Sequence, residues 1–336
     1  MQRHRSVPPA AARPTRRAVL AAAGAAAVAA TLGPLAARAQ AQPAPAAVRI
    51  GYQKSSTLTV VLKAQGALEA RLAPLGVKPT WHEFTSGLPL LEALNLGHID
   101  FSADVADTVP VFAQAAGARV TFVAQEAPSP TAQAILVRAD SPLRSVAELK
   151  GRKVGFAKAA GAHYLLLAAL EKAGLSLRDI EPAYLTPADG RAAFERGAID
   201  VWVVWDPFLS AAQRQSNARV LADGEGLASY QRYYLAGTDY AQSRADVVRA
   251  LYAELEQAGR WVKQNPRDAA QLLAPIWGLD AAVVLQANAR RSYAVRPVVP
   301  AGLAEQQRIA DAFFAEKLLP RRVDTLQASP LFPIGA

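Results

Sequence analysis

Few residues in this 336-residue chain are equipped for covalent chemistry. With no cysteine and four histidines, it excludes a thiol nucleophile, a thiolate-held zinc, an iron–sulfur cluster and a lipidated cysteine, and leaves little for a histidine-rich metal site. The spacings G-x-S-x-G, H-E-x-x-H, G-x-x-x-x-G-K-[ST] and G-x-G-x-x-G are all absent. His163 follows Gly161-Ala162 at the start of a helical pattern with no identifiable acid partner, which suits a hydrogen-bond donor better than a base. What the chain does carry is small or polar residues at strand-to-helix turns: Gln53, Ser55 and Ser56, then Ser86 and Gly87, then Gly161, Ala162 and His163. Such turns offer hydroxyls that cap their own helix and main-chain N–H groups that have no partner inside it. Lys54 and Lys158 stand beside these turns, and Asp107 and Asp206 follow later strand-like runs.

The elements that must hold those turns are legible from periodicity. From Val48 onward, short runs rich in Val, Ile and aromatics alternate with longer helical patterns, the mark of βα units and a largely parallel sheet. The expected strands are Val48–Gln53, Thr80–Phe84, Ile99–Ala103, Val120–Gln125, Gln133–Arg138, Lys153–Ala157, Pro182–Leu185 and Val201–Trp205. Helices fall between them, and beyond Asp239 the pattern is helical over Ala245–Gln264, Pro266–Ile276, Ala281–Arg290 and Ala301–Lys317. Two stretches repeat. Val48-Arg49-Ile50-Gly51-Tyr52-Gln53-Lys54 matches Arg152-Lys153-Val154-Gly155-Phe156-Ala157-Lys158, and Ala93-Leu94-Asn95-Leu96-Gly97-His98-Ile99-Asp100 matches Ala193-Phe194-Glu195-Arg196-Gly197-Ala198-Ile199-Asp200. Two copies are too few for a solenoid, so they point to two lobes of similar build.

The net charge of +9 suggests a polyanion partner until its position is considered. Six arginines and no acid fall within residues 1–39, and no basic cluster follows, so a nucleic-acid partner is not expected. Arg16-Arg17 precedes a mildly apolar, alanine-rich run that ends in Ala37-Arg38-Ala39, an export signal of twin-arginine type with an A-x-A cleavage pattern. Gln40–Ala47 then reads as a flexible Pro/Ala tether.

Four segments in order carry a resemblance: Gly51-Tyr52-Gln53-Lys54, Phe112-Ala113-Gln114-Ala115-Ala116-Gly117, Tyr184-Leu185-Thr186-Pro187-Ala188-Asp189 and Trp205-Asp206-Pro207. Together they resemble the aliphatic-sulfonate-binding proteins of bacterial ABC importers, over Val48 to about Asp324. The resemblance implies an α/β, type 2 periplasmic-binding-protein fold: two similar lobes with a ligand cleft between them and a helical C-terminal extension. Hinge crossings are expected near Ala124–Pro130 and Tyr233–Thr238, giving one lobe from 48–126 plus 238–336 and a second from 127–237. It also implies a monomer in the periplasm that hands a small organosulfonate to a membrane permease with its ATPase, without cofactor or turnover. Nitrate, bicarbonate or a pyrimidine thiamin precursor, ligands of related binding proteins, are the alternative. The stretch Ser102–Pro110 departs from the family's glycine-and-double-proline turn, which leaves the shape of that loop and the role of Asp104 open.

A sulfonate is ionised at any physiological pH and has no proton to give, so its site must consist of donors. The turn residues above are the expected ones, with helix dipoles assisting: about 0.3–1 kcal/mol per terminus against roughly 1.5–3 kcal/mol per charged hydrogen bond. Trp205 is expected to wall the cleft against an alkyl chain while Trp202, on the other strand face, packs beneath a helix. Asp107 reads as the N-cap of the helix through Phe112. Asp107 or Asp206, if turned into the cleft, would hold an amino or hydroxyl end of the ligand.

Overall fold

Strand β1 (Ala46–Gln53) is buried from Val48 onward except at Arg49, as suits a strand flanked on both sides in a parallel sheet. The computed structural model describes residues 46–327 and 329–334; the expected export signal and the tether up to residue 45 lie outside the described residues. After β1 come α1 (Thr57–Gln65), α2 (Ala67–Leu72), β2 (Val77–Phe84), α3 (Gly87–Asn95), β3 (Phe101–Ala106), α4 (Thr108–Ala115) and β4 (Val120–Glu126). The chain then forms β5 (Gln133–Arg138), β6 (Lys153–Phe156), α5 (Gly161–Lys172), β7 (Glu181–Tyr184), α6 (Pro187–Glu195), β8 (Val201–Trp205), α7 (Phe208–Gln215), β9 (Ala218–Asp223) and β10 (Arg232–Gly237). It ends with α8 (Thr238–Ser243), α9 (Ala245–Gln264), α10 (Pro266–Trp277), α11 (Ala281–Arg290), β11 (Val295–Arg296) and α12 (Ala304–Ala315).

Two sheets result, in the orders β11-β4-β10-β3-β1-β2 and β7-β6-β8-β5-β9. Each has a parallel trio, β2-β1-β3 in one and β7-β6-β8 in the other, flanked by an antiparallel strand that arrives from the other half of the sequence. The internal repeat is physical. Gly51 faces Ile99 so closely that a Cβ would overlap its Cδ1, and a Cβ on Gly155 would lie 2.5 Å from the Cδ1 of Ile199. Asp100 Oδ2 accepts from the Arg49 N–H at 2.7 Å, and Asp200 Oδ2 from the Lys153 N–H at 2.9 Å.

Three strands were not expected from sequence: β9, an edge, the short β11, and β10, which lies between β3 and β4 in the first sheet. The return crossing therefore falls at residues 224–231, before the expected Tyr233–Thr238, and residues 232–237 belong to the first sheet rather than with the second-lobe stretch. The third strand also begins later than Ile99, because Ile99 packs against Gly51 and Asp100 turns back to Arg49. The last helix is shorter than expected, preceded by a 3₁₀ turn over Pro300–Leu303.

Candidate ligand-binding cleft

The carboxyl ends of both parallel trios open onto one cleft of about 250 Å³, the place where open α/β sheets bind ligands. Equivalent turns of the two halves line it in matched pairs. Gln53 at the end of β1 corresponds to Ala157–Gly161 after β6, Thr85–Leu88 to Tyr184–Pro187, and Ala106 at the end of β3 to Trp205 at the end of β8. The first turns of α3 and α5 thus bring N–H groups with no intrahelical partner to the cleft from both sides. At Gly161 a side chain could not be accommodated, since a Cβ would lie 2.7 Å from the Tyr230 ring.

The floor holds a cation that the sequence did not disclose. Arg232, the first residue of β10, lines the cleft with its side chain only 4% exposed. Its Nη1 donates to the Tyr230 hydroxyl at 2.7 Å, and its Nη2 meets Asp104 Oδ2 at 2.7 Å and the Asp104 carbonyl at 3.0 Å. Gln53 Nε2 donates to the same carbonyl at 3.2 Å. Asp104 is shared with Arg291 at 3.0 Å, and Arg291 also pairs with Glu126 at 2.7 Å. Two guanidinium and two carboxylate groups make this buried cluster formally neutral. Within it the Arg232 Nε–H is buried with no partner, a state that costs free energy until an acceptor arrives.

The expected site residues divide. Gln53, Ser86, Gly87, Gly161 and Trp205 line the cleft, with Lys158 at its edge. Ser55, Ser56, Asp107, Ala162, His163 and Asp206 do not line it, nor does Lys54. The Ser56 hydroxyl accepts from the Gln53 N–H at 3.1 Å, closing its own turn. Asp107 is not a side-chain N-cap: its Oδ2 accepts from the Gln231 N–H at 2.9 Å, and burial pushes its carboxyl up to about 7. Asp206 likewise faces away, accepting from Ser210 N at 2.9 Å and pairing with Arg290 of α11 at 3.0 Å; burial raises its carboxyl above the ordinary value despite these partners. No carboxylate is therefore found among the lining residues.

His163 packs behind the α5 turn against Phe156 and Phe313, with ring centroids 4.7 and 5.1 Å away. Burial first, then the charge of Lys158, lowers its imidazole to about 3, so it is neutral. Its Nδ1 accepts from the Ala159 N–H at 3.2 Å, while the Ala159 carbonyl accepts from the Thr108 hydroxyl at 2.7 Å. Ala159 thus has its peptide groups fixed from both sides, at φ +63, a left-handed conformation an alanine adopts only under constraint. Trp202, on the far face of β8, packs against Gly190 of α6, and Trp205 packs edge-on to Phe208 at 6.0 Å. No group of three or more His, Asp or Glu residues suited to a metal ion occurs among the described residues.

Tyr230 and Arg232 are the buried polar lining residues that sequence reasoning missed. The available signal is the apolar run Tyr233–Ala236, which is strand-like although it coincides with the expected hinge crossing.

Comparison with known proteins agrees with the fold. The family model described as NMT1/THI5 like matches residues 84–269. An aliphatic sulfonates-binding protein of Escherichia coli (strain K12) is 42% identical over 288 residues, 85% of this chain and 89% of the relative. The crystal structure of the periplasmic aliphatic sulphonate binding protein SsuA from Escherichia coli superposes with a TM-score of 0.79, covering 86% of this chain and 98% of that one. The alkanesulfonate-binding protein SsuA from Xanthomonas axonopodis pv. citri, solved bound to MOPS, has 42% identity and a TM-score of 0.79 over 85% of this chain and 98% of that one.

Proposed function

The chain belongs to the aliphatic-sulfonate-binding proteins, within the NMT1/THI5-like family, and from that premise we propose that it is the periplasmic solute-binding component of an ABC importer. It captures an aliphatic sulfonate between its lobes and delivers it to the membrane permease, without covalent chemistry. The observation that carries this reading is the unpartnered Arg232 Nε–H at the floor of a cleft edged by the N-termini of α3, α5 and α6. Because the Arg232 cluster is formally neutral, the head group adds a net negative charge that the α3 and α5 dipoles and first-turn amides must help to hold. In this arrangement the sulfonate oxygens face Arg232, Gln53 and the turns at Ser86-Gly87 and Gly161, while Val109 and Trp205 wall the alkyl chain. The lobes take residues 46–126 with the C-terminal helices as one body and 133–223 as the other, with β10 returned to the first. The leader up to Ala39 is removed on export.

Calorimetric titration with ethanesulfonate tests the reading, with nitrate, bicarbonate and a hydroxymethylpyrimidine as competitors. Arg232→Lys keeps a cation beside Asp104 but removes the donor at the Nε position. One charged hydrogen bond of roughly 1.5–3 kcal/mol corresponds to a loss of about 10- to 150-fold in affinity. No binding of ethanesulfonate to the native protein, or affinity of the variant within about threefold of native, would reject the proposal.

A further inference from the structure

Burial sorts the lining residues by depth. Arg232, Tyr230 and Trp205 are buried at the floor, whereas Leu88 and Tyr184 are 40% and 49% exposed and stand on opposite lips. Lys158 is also exposed, and its Nζ lies 5.8 Å from the centroid of the Tyr184 ring, which holds the ammonium on the second-lobe side of the mouth. The cleft thus has a cation at each end: one buried and ion-paired, the other at the entrance. No acid lines the cleft beside the second, and none is within salt-bridge distance of Lys158 among the described residues. Asp107 and Asp206 are turned away, and Asp189, near the mouth on α6, accepts from the Thr186 hydroxyl at 2.7 Å within its own helix cap.

We propose that Lys158 is a specificity-determining residue that reads the end of the ligand remote from the head group, favouring sulfonates with a second anionic group over those with a neutral or ammonium end. This rests on the head-group assignment above. A sulfonate seated on Arg232 sends the rest of the molecule outward, because the floor is closed by Tyr230 and Trp205. A tail of several carbons then brings its far end between Leu88 and Tyr184, beside the Lys158 ammonium. A carboxylate there gains a partner and an alkyl end gains apolar contact with the lips. An ammonium meets a like charge with no counter-ion among the lining residues. Exposed charge pairs are weak and screened, so each step is about two- to fivefold at low salt and shrinks as salt rises.

The test is a titration of the full native chain, Lys158→Gln and Lys158→Glu with butane-1-sulfonate, 4-sulfobutanoate and 4-aminobutane-1-sulfonate at low and high salt. Affinities are compared as ratios within each protein, so any change common to the three ligands cancels. The native protein is expected to rank carboxylate above alkyl above ammonium, Lys158→Gln to compress the ranking, and Lys158→Glu to invert it. An unchanged ranking in Lys158→Glu would overturn the role of Lys158 while leaving the head-group site intact. Failure of butane-1-sulfonate to bind the native protein would instead overturn the head-group assignment on which the role depends.

Discussion

Asp107 and His163 titrate in opposite senses, and the connection between them makes a sharp stability experiment. Asp107 is followed by Thr108, whose hydroxyl donates to the Ala159 carbonyl, and the Ala159 N–H donates to His163. Burial raises the Asp107 carboxyl from 3.8 to about 7, so between those values the native state holds a proton that the unfolded state has released. Stability present below about pH 4 is therefore lost as pH rises toward 7, with a slope of at most about 1.4 kcal/mol per unit. Burial, assisted by Lys158, lowers His163 from 6.5 to about 3, so there the unfolded state binds the extra proton. That contribution is present above about pH 6.5 and lost on acidification, with the opposite slope. Between roughly pH 4 and 6.5 the two cancel. Asp107→Asn, whose side-chain oxygen still accepts from Gln231, removes the falling part, so its stability relative to native should rise with pH. His163→Asn places an oxygen near the Nδ1 position and removes the rising part, so its relative stability should fall with pH. Urea unfolding at close pH intervals measures both, and taking differences from native cancels the other titrating groups, Asp206 included. Stability curves of either variant running parallel to native, within about 0.3 kcal/mol per unit, would refute the assigned protonation states.

Two other expectations concern the cleft. Gly161→Ala places a methyl 2.7 Å from the Tyr230 ring and 3.2 Å from Gln133 Oε1; a thermal melt should show a cost of about 1–3 kcal/mol, with ethanesulfonate affinity falling as Tyr230 moves and disturbs Arg232. Asp206→Asn should change affinity for ethanesulfonate and for its 2-amino analogue by the same factor, because Asp206 faces Ser210 and Arg290 rather than the ligand; a loss confined to the amino compound in calorimetry would place that carboxylate in the cleft after all.

What could be read from sequence was whatever depends on neighbours a few residues away or on a repeated local pattern. The turn at Gly51–Lys54, its counterpart at Gly155–Lys158 and the three helices between Ala245 and Arg290 follow from periodicity and from glycines at fixed offsets, and they lie where expected. The carboxylates misled because each has a remote partner: Asp107 is held by Gln231, 124 residues on, and Asp206, besides the nearby Ser210, by Arg290, 84 residues on. Position at a strand end suggested the cleft, but a buried carboxylate takes the nearest donor the fold supplies. Arg232 was hidden for the same reason. Its burial depends on β10 being inserted between β3 and β4, a pairing with no local signature.

The two inserted strands also explain why the cleft floor is polar. β10 begins with Arg232, paired with Ala106 at the end of β3, and β5 begins with Gln133, paired with Trp205 at the end of β8. These are equivalent positions in the two sheets, one reached by each crossing between lobes. Each delivers a buried side chain with unpartnered polar atoms: Nε of Arg232, and both Nε2 and Oε1 of Gln133. In a sheet built only from local βα units, strand ends carry their own turn residues and cap their own helices. A strand arriving from the other half has no helix to cap at that point, so its first side chain is free to serve the cleft. The crossing into β10 therefore brings the floor Arg232, and the crossing into β5 places Gln133 behind the lining, its Oε1 3.2 Å from where a Cβ on Gly161 would lie.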